Sequence, residues 1–169
     1  AFAAGASFTS ITSIGGSNGI SLTSITGSVD LGGGALSGAS GTTFNVSGGS
    51  VSTTYSGNIT QGNNAALVSV SGGHATGTIT FQSGTLSATN GSGLQFDNAD
   101  GTYNFNGTTT LSGGDAGIDI LNGSAGTFNF GGTIITNPTG VALFVSASSG
   151  AISISGAISK NNDGKLIDF

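Results

Sequence analysis

The 169-residue chain has no cysteine, tryptophan, methionine, arginine or glutamate, and only one proline, one histidine and two lysines. Each absence excludes something. Without cysteine there is no disulfide framework, no thiolate metal site and no thiol nucleophile. Without arginine, and at a net charge of −5, nothing offers a phosphate backbone or an anionic lipid surface an electrostatic footprint, so nucleic acid is not an expected partner. Only 5% of residues are charged, against roughly 25% in ordinary globular domains; that argues against most soluble enzymes and against a coiled coil. The strong helix formers Glu, Lys, Arg, Met and Gln are nearly missing, which disfavours an α-rich fold. The longest purely apolar run is Val141–Val145, far short of the ~20 residues of a membrane-crossing helix, so no membrane insertion is expected.

What remains is dominated by Gly (33), Ser (26), Thr (22) and Asn (14), together 95 of 169 residues. Such a composition usually marks a flexible linker. Two facts oppose that reading. Hydrophobic residues make up 36% of the chain and the mean hydropathy is +0.24. Moreover, the apolar residues recur with a long period that a linker has no reason to keep.

Segments that start at glycine and then alternate are Gly77-Thr-Ile79-Thr-Phe81, Gly101-Thr-Tyr103-Asn-Phe105, Gly126-Thr-Phe128-Asn-Phe130 and Gly150-Ala-Ile152-Ser-Ile154, at steps of 24, 25 and 24. Val29/Leu31 and Val51/Thr53 fill the same slot upstream. A second series runs Ile20/Leu22, Phe44/Val46, Val68/Val70, Leu94/Phe96, Ile118/Ile120, Leu143/Val145 and Ile167/Phe169, at steps of 24, 24, 26, 24, 25 and 24. A third is Leu36, Ile59, Leu86, Leu111, Ile134 and Ile158. The period-2 alternation predicts short strands with one apolar face, three per ~24-residue unit. Stacked units would bury those faces against their neighbours only. Turn chemistry falls between them, at Asn90–Gly93, Gly114–Gly117, Asn137–Gly140 and Asn161–Gly164. A glycine directly before a strand is expected where the backbone takes positive φ at a corner.

The predicted fold is therefore all-β: a parallel β-helix of about seven coils with no helical domain, one solenoid over residues 1–169 whose first coil, residues 1–19, is less regular. On this repeat and its stacked apolar, aromatic and Asn/Thr positions, residues 20–169 resemble the right-handed parallel β-helix family. That family is seen in pectate lyases, phage tailspikes and the passengers of bacterial adhesins and autotransporters. The resemblance implies a right-handed coil and a microbial extracellular or cell-surface setting, which scarce charge and scarce lysine also suit.

Neither end shows the polar cap that solenoids normally carry. Seven coils of 24 nearly equal the chain length, and Phe169 is inward by register. Two readings follow: a slice of a longer passenger, or a subunit that stacks head-to-tail on copies of itself. In the second, Ala1, Phe2 and Phe8 at one end would meet Ile167 and Phe169 at the other, with Phe8, Ile11 and Ile14 forming the first coil's strands.

Little chemistry is legible, and no catalytic residue, cofactor or metal is expected. Asp97, Asp100, Asp115 and Asp119 form the only acidic cluster. Carboxylates in adjacent coils can serve polysaccharide cleavage, as β-helix enzymes do, but the first three read more simply as turn residues and Asp119 as a solvated outward residue. His74 reads as part of a surface loop in the lengthened corner Ser71–Thr76. The outward ladder Thr80, Asn104, Asn129 and Ser153 offers polar groups about 4.8 Å apart. It reads either as a stiffening hydrogen-bond ladder or as a face for glycans, for which Tyr55 and Phe144 are the natural stacking partners. The expected role is structural and non-enzymatic, with a carbohydrate-binding passenger as the first alternative and a polysaccharide-degrading enzyme as the second.

Overall fold

Alternating Thr, Ser or Asn with Ile, Val, Leu or Phe leaves each short strand an apolar face it cannot bury alone, and the chain buries it by coiling. The structure, a computed structural model, describes residues 2–169, with side chains from Gly5 onward. Among the described residues every strand pair is parallel and no helix forms. Successive coils pair at about 24-residue spacing through seven turns of a β-solenoid.

Three ladders run along the axis. The first stacks Phe2–Ser7, Thr26–Asp30, Ser50–Tyr55, His74–Phe81, the leading halves of the long strands Ala99–Ser112 and Thr127–Thr136, and Ala151–Ile154. The second stacks Ser13–Ile14, Ala35–Ser37, Asn58–Gln61, Thr85–Ala88, the trailing halves of the same long strands, and Ile158–Ser159. The third runs from Ile20–Thr23 through Phe44–Ser47, Ala66–Ser71, Gly93–Asp97, Gly117–Leu121 and Leu143–Val145 to Ile167–Asp168.

The third ladder realises the second apolar series except at its last member, Phe169, which is exposed rather than inward. Ile20, Phe44, Val68, Leu94, Ile118, Leu143 and Ile167 form one column, and Leu22, Val46, Val70, Phe96, Ile120 and Val145 the next. In the first ladder the aromatics stack: Phe81 on Phe105 with centroids 4.8 Å apart, Tyr103 on Phe128 at 5.1 Å, and Phe105 on Phe130 at 5.2 Å. Phe96 crosses from the third ladder to meet Phe128 edge-on at 5.0 Å. Offset and edge-on pairs of this kind contribute about 0.5–1.5 kcal/mol each beyond their buried area.

The register departs from expectation in three places. Thr53 and Tyr55, not Val51 and Thr53, pair with Ile79 and Phe81. The strand Ser50–Tyr55 carries three inward residues, and the third, Tyr55, closes the aromatic column. In the second ladder Ile135 is buried and Ile134 is exposed, because Leu111 pairs with Ile135 and Thr110 with Ile134. In the first coil Phe8 and Ile14 are exposed; of the three residues assigned there, only Ile11 packs on the core.

The glycines predicted to precede the strands have another cause than the one expected, and two of them, Gly77 and Gly101, lie inside their strands. Gly77, Gly101, Gly126 and Gly150 are not among the positive-φ positions. A Cβ on Gly101 would lie 2.4 Å from the carbonyl oxygen of Gly77, and one on Gly126 2.3 Å from that of Gly101. They are glycine because the coil beneath leaves no room. Positive φ recurs instead at the corner after the third-ladder strands, where Ser24, Gly48, Gly72, Asn98, Asn122 and Ala147 take it in successive coils, and at scattered positions elsewhere.

This distinction is testable by urea denaturation. Gly101→Ala should lower stability by about 1–3 kcal/mol, the usual penalty of overpacking. Gly33→Ala, whose Cβ would meet nothing within 4 Å, should stay within about 0.5 kcal/mol of the parent. Equal effects at the two positions would contradict the steric account.

Candidate functional site

Outward positions on the first ladder carry short polar side chains in two columns. One is Ser28, Ser52, Thr78, Thr102 and Thr127; the other is Ser7, Asp30, Thr54, Thr80, Asn104, Asn129 and Ser153. The ladder Thr80, Asn104, Asn129 and Ser153 thus lies in register in four successive coils. Its amides bond along the axis: Asn129 Nδ2 donates to Asn104 Oδ1 at 2.8 Å, and Asn104 Nδ2 to Thr80 Oγ1 at 3.4 Å. Toward the first coils the same face dips into a shallow trough of about 360 Å³, lined by Ser7, Ser28, Ser52, Thr54, Thr78 and Thr80 among others.

The acidic residues make local contacts. Asp97 Oδ2 accepts from Asn122 Nδ2 at 2.9 Å, and Asp100 Oδ1 accepts from the Ala125 amide at 2.9 Å. The Asp115 carboxylate fills the space that a side chain at position 140 would need, and Gly140 leaves it free. Asp119 is half-buried rather than simply solvated. Burial raises its pKa, the hydrogen bond from Gln95 Nε2 at 3.0 Å works against that rise, and the charge of Asp115 adds to it. Among the described residues no three His, Cys, Asp or Glu side chains gather into a metal-binding group.

The expected sugar-stacking pair divides. Phe144 is half-buried on the outward column between Asp119 and Asp168. Tyr55 is buried at 1% exposure, packed against Phe44, with its hydroxyl donating to the Ile11 carbonyl at 3.3 Å. Tyr55 therefore presents no face to a sugar; its inward register in Ser50–Tyr55 decides this.

His74 also differs from expectation, being fully buried. His74 alone of the lengthened corner is buried, Gly72 and Thr76 staying exposed, and it begins the next strand. Its Nε2 lies 3.0 Å from the Val51 carbonyl and its Nδ1 3.0 Å from the Tyr103 hydroxyl. A carbonyl only accepts, so Nε2 carries the proton and, in the neutral ring, Nδ1 accepts from Tyr103. The same hydroxyl accepts from the Gly101 amide at 3.0 Å. Burial pushes the His74 pKa down and outweighs the opposing Val51 bond; burial also raises the Tyr103 pKa strongly. The sequence signal was available: a lone histidine in the single 26-residue step, flanked by Gly72, Gly73 and Gly77.

At the ends, Phe8 is 49% exposed, Ile167 45% and Phe169 82%. Ala1 and the Phe2 side chain, assigned with them to the stacking ends, lie outside the described residues. No protein family, curated protein or solved structure matches the chain.

The Asp119 geometry carries a pH signature. Its folded pKa is raised, so the native state holds the proton more tightly, and stability falls as pH rises from the unfolded value, about 3.9, through the folded one. Asp119→Asn should therefore raise the urea midpoint at pH 7, with the gain vanishing below about pH 4. A gain that persists at pH 3 would show that the ionised carboxylate is not its source.

Proposed function

We propose that this chain is a structural, non-enzymatic module: a rigid rod of the microbial cell exterior or surface that lengthens by setting the last coil of one copy on the first coil of the next. One observation carries the reading. Columns that are sealed in the inner coils are only partly covered in the coil formed by residues 151–169. Phe128, Phe130 and Ile135 are buried, whereas Ile152, Ile154 and Ile158, which pair with them in the last coil, are only partly covered, and Phe169 and Ile167 are exposed beyond. The strands Ala151–Ile154, Ile158–Ser159 and Ile167–Asp168 each pair on one side only, and a strand edge of that kind is a template for another strand.

Three further features support it. Sparse charge lowers repulsion between copies. The carboxylates of Asp97 and Asp100 are occupied in corner hydrogen bonds, which fits a scaffold better than a cleavage site. The resemblance to adhesin and autotransporter passengers fits a surface rod. A head-to-tail contact of this kind is heterologous and propagates without closing.

Light scattering over a dilution series tests the stacking. The parent should form species whose mass rises with concentration. Phe169→Asp should abolish them while leaving the circular dichroism spectrum of the interior coils unchanged. Polymers that persist in the variant, or a parent that stays monomeric throughout, would overturn head-to-tail stacking.

A second reading, adhesion to neutral glycans, is favoured by the trough's Ser and Thr hydroxyls, beside which Asp30 adds one carboxylate acceptor. It predicts that Thr54→Ala with Thr80→Ala weakens retention on a neutral polysaccharide column by tenfold or more. Retention unchanged in the double variant, or no retention of the parent, would remove it.

A further inference from the structure

We propose that His74 is an acid-sensitive latch: its protonation opens the segment Ser71–Thr80 locally while the coils on either side remain folded. Four features meet there, three of them parts of one irregularity. The step from Val70 to Phe96 is 26 residues, the longest in that series. The register of His74–Phe81 against Ala99–Ser112 shifts between Ala75 and Thr78. Thr76 has φ +58°, a left-handed conformation that is an outlier for a β-branched residue and marks stored strain. Finally, the imidazole is buried in a space made by two glycines: a Cβ on Gly77 would lie 2.8 Å from its Nε2, and one on Gly101 2.9 Å from its Nδ1.

The ring is held as a neutral group with both nitrogens used. A second proton on Nδ1 removes the acceptor of the Tyr103 hydroxyl and confronts it with a donor. To receive that donor the hydroxyl must turn its own proton to the His74 carbonyl, 3.4 Å away. The added charge finds no counterion beside it. The ionisable groups on the strands packed against His74 are Tyr103 and Asp100 on one side and Tyr55 on the other. Both tyrosines are buried and neutral. Asp100 is exposed, and its Oδ1 is engaged by the Ala125 amide. Opening delivers the imidazole to water, where its ordinary pKa is about 6.5. The latch is therefore closed above that value. As pH falls below it the open fraction grows by up to about tenfold per unit, until the closed form also binds the proton.

The test is amide hydrogen exchange on the full chain at pH 7.5 and pH 5, corrected for intrinsic exchange. Protection across residues 71–80 and 98–105 should fall at least fivefold relative to residues 117–121 in the parent, and hold constant in His74→Gln. The same local fall in His74→Gln, a uniform fall along the rod, or no fall would overturn the latch. Should His74→Gln not fold, an NMR titration of the imidazole in the parent decides. A midpoint below 6.5 with coincident shifts at the Gly77 and Gly101 amides supports the latch, and a midpoint at or above 6.5 overturns it.

Discussion

Parallel pairing along the axis is the constraint on which everything else in this molecule depends. Each coil must return to the same place one strand spacing higher, about 4.8 Å, so that its amides meet the carbonyls of the coil below. Any atom pointing along the axis then strikes backbone. The glycine column Gly77, Gly101, Gly126 and Gly150 answers this, each placed against a carbonyl of the coil beneath. The same spacing explains the scarcity of charge. Like charges stacked at that distance repel by about 1 kcal/mol even in water, and a repeat copies such a pair in every coil. Short neutral side chains avoid the penalty and bond along the column instead, as Asn129, Asn104 and Thr80 do.

Identical residues in successive coils also make the interior a set of stacks rather than a mosaic. Phe81, Phe105 and Phe130 form one such stack and Tyr103 with Phe128 another. Backbone pairing joins each coil only to the ones above and below, so an inner coil has two paired interfaces and an end coil one; Tyr55, reaching Ile11 two coils away, adds a longer tie. The half-covered Ile152, Ile154 and Ile158 display that difference. On the proposed function, a neighbouring copy supplies the missing interface.

Much of this was legible because a stack needs the same side-chain type at the same place in every coil. The seven pairs from Ile20/Leu22 to Ile167/Phe169 announced the third ladder, and six of the seven are matched in the structure by pairing residue for residue. Errors arose where the chain gains residues or a column changes chemistry. Val51-Ser-Thr53-Thr-Tyr55 offers two equally good alternating frames, and only pairing with Ile79 and Phe81 selects the later one. Ile134 and Ile135 are adjacent, so one residue of register separates a buried isoleucine from an exposed one. The polar face was visible as a ladder, but the trough depends on how four coils curve together. His74 was hidden for a related reason: added residues at a corner usually bulge outward, whereas here Gly77 and Gly101 open a space that draws the ring in.

On the proposed function, the parallel ladders of one copy continue into the next. Electron microscopy with fibre diffraction on the purified chain measures this most directly. Head-to-tail stacking gives thin unbranched fibres with a reflection near 4.8 Å along the fibre axis and a subunit repeat of seven coils, about 34 Å. Discrete particles at every concentration, or fibres whose 4.8 Å reflection lies across the axis, would contradict it.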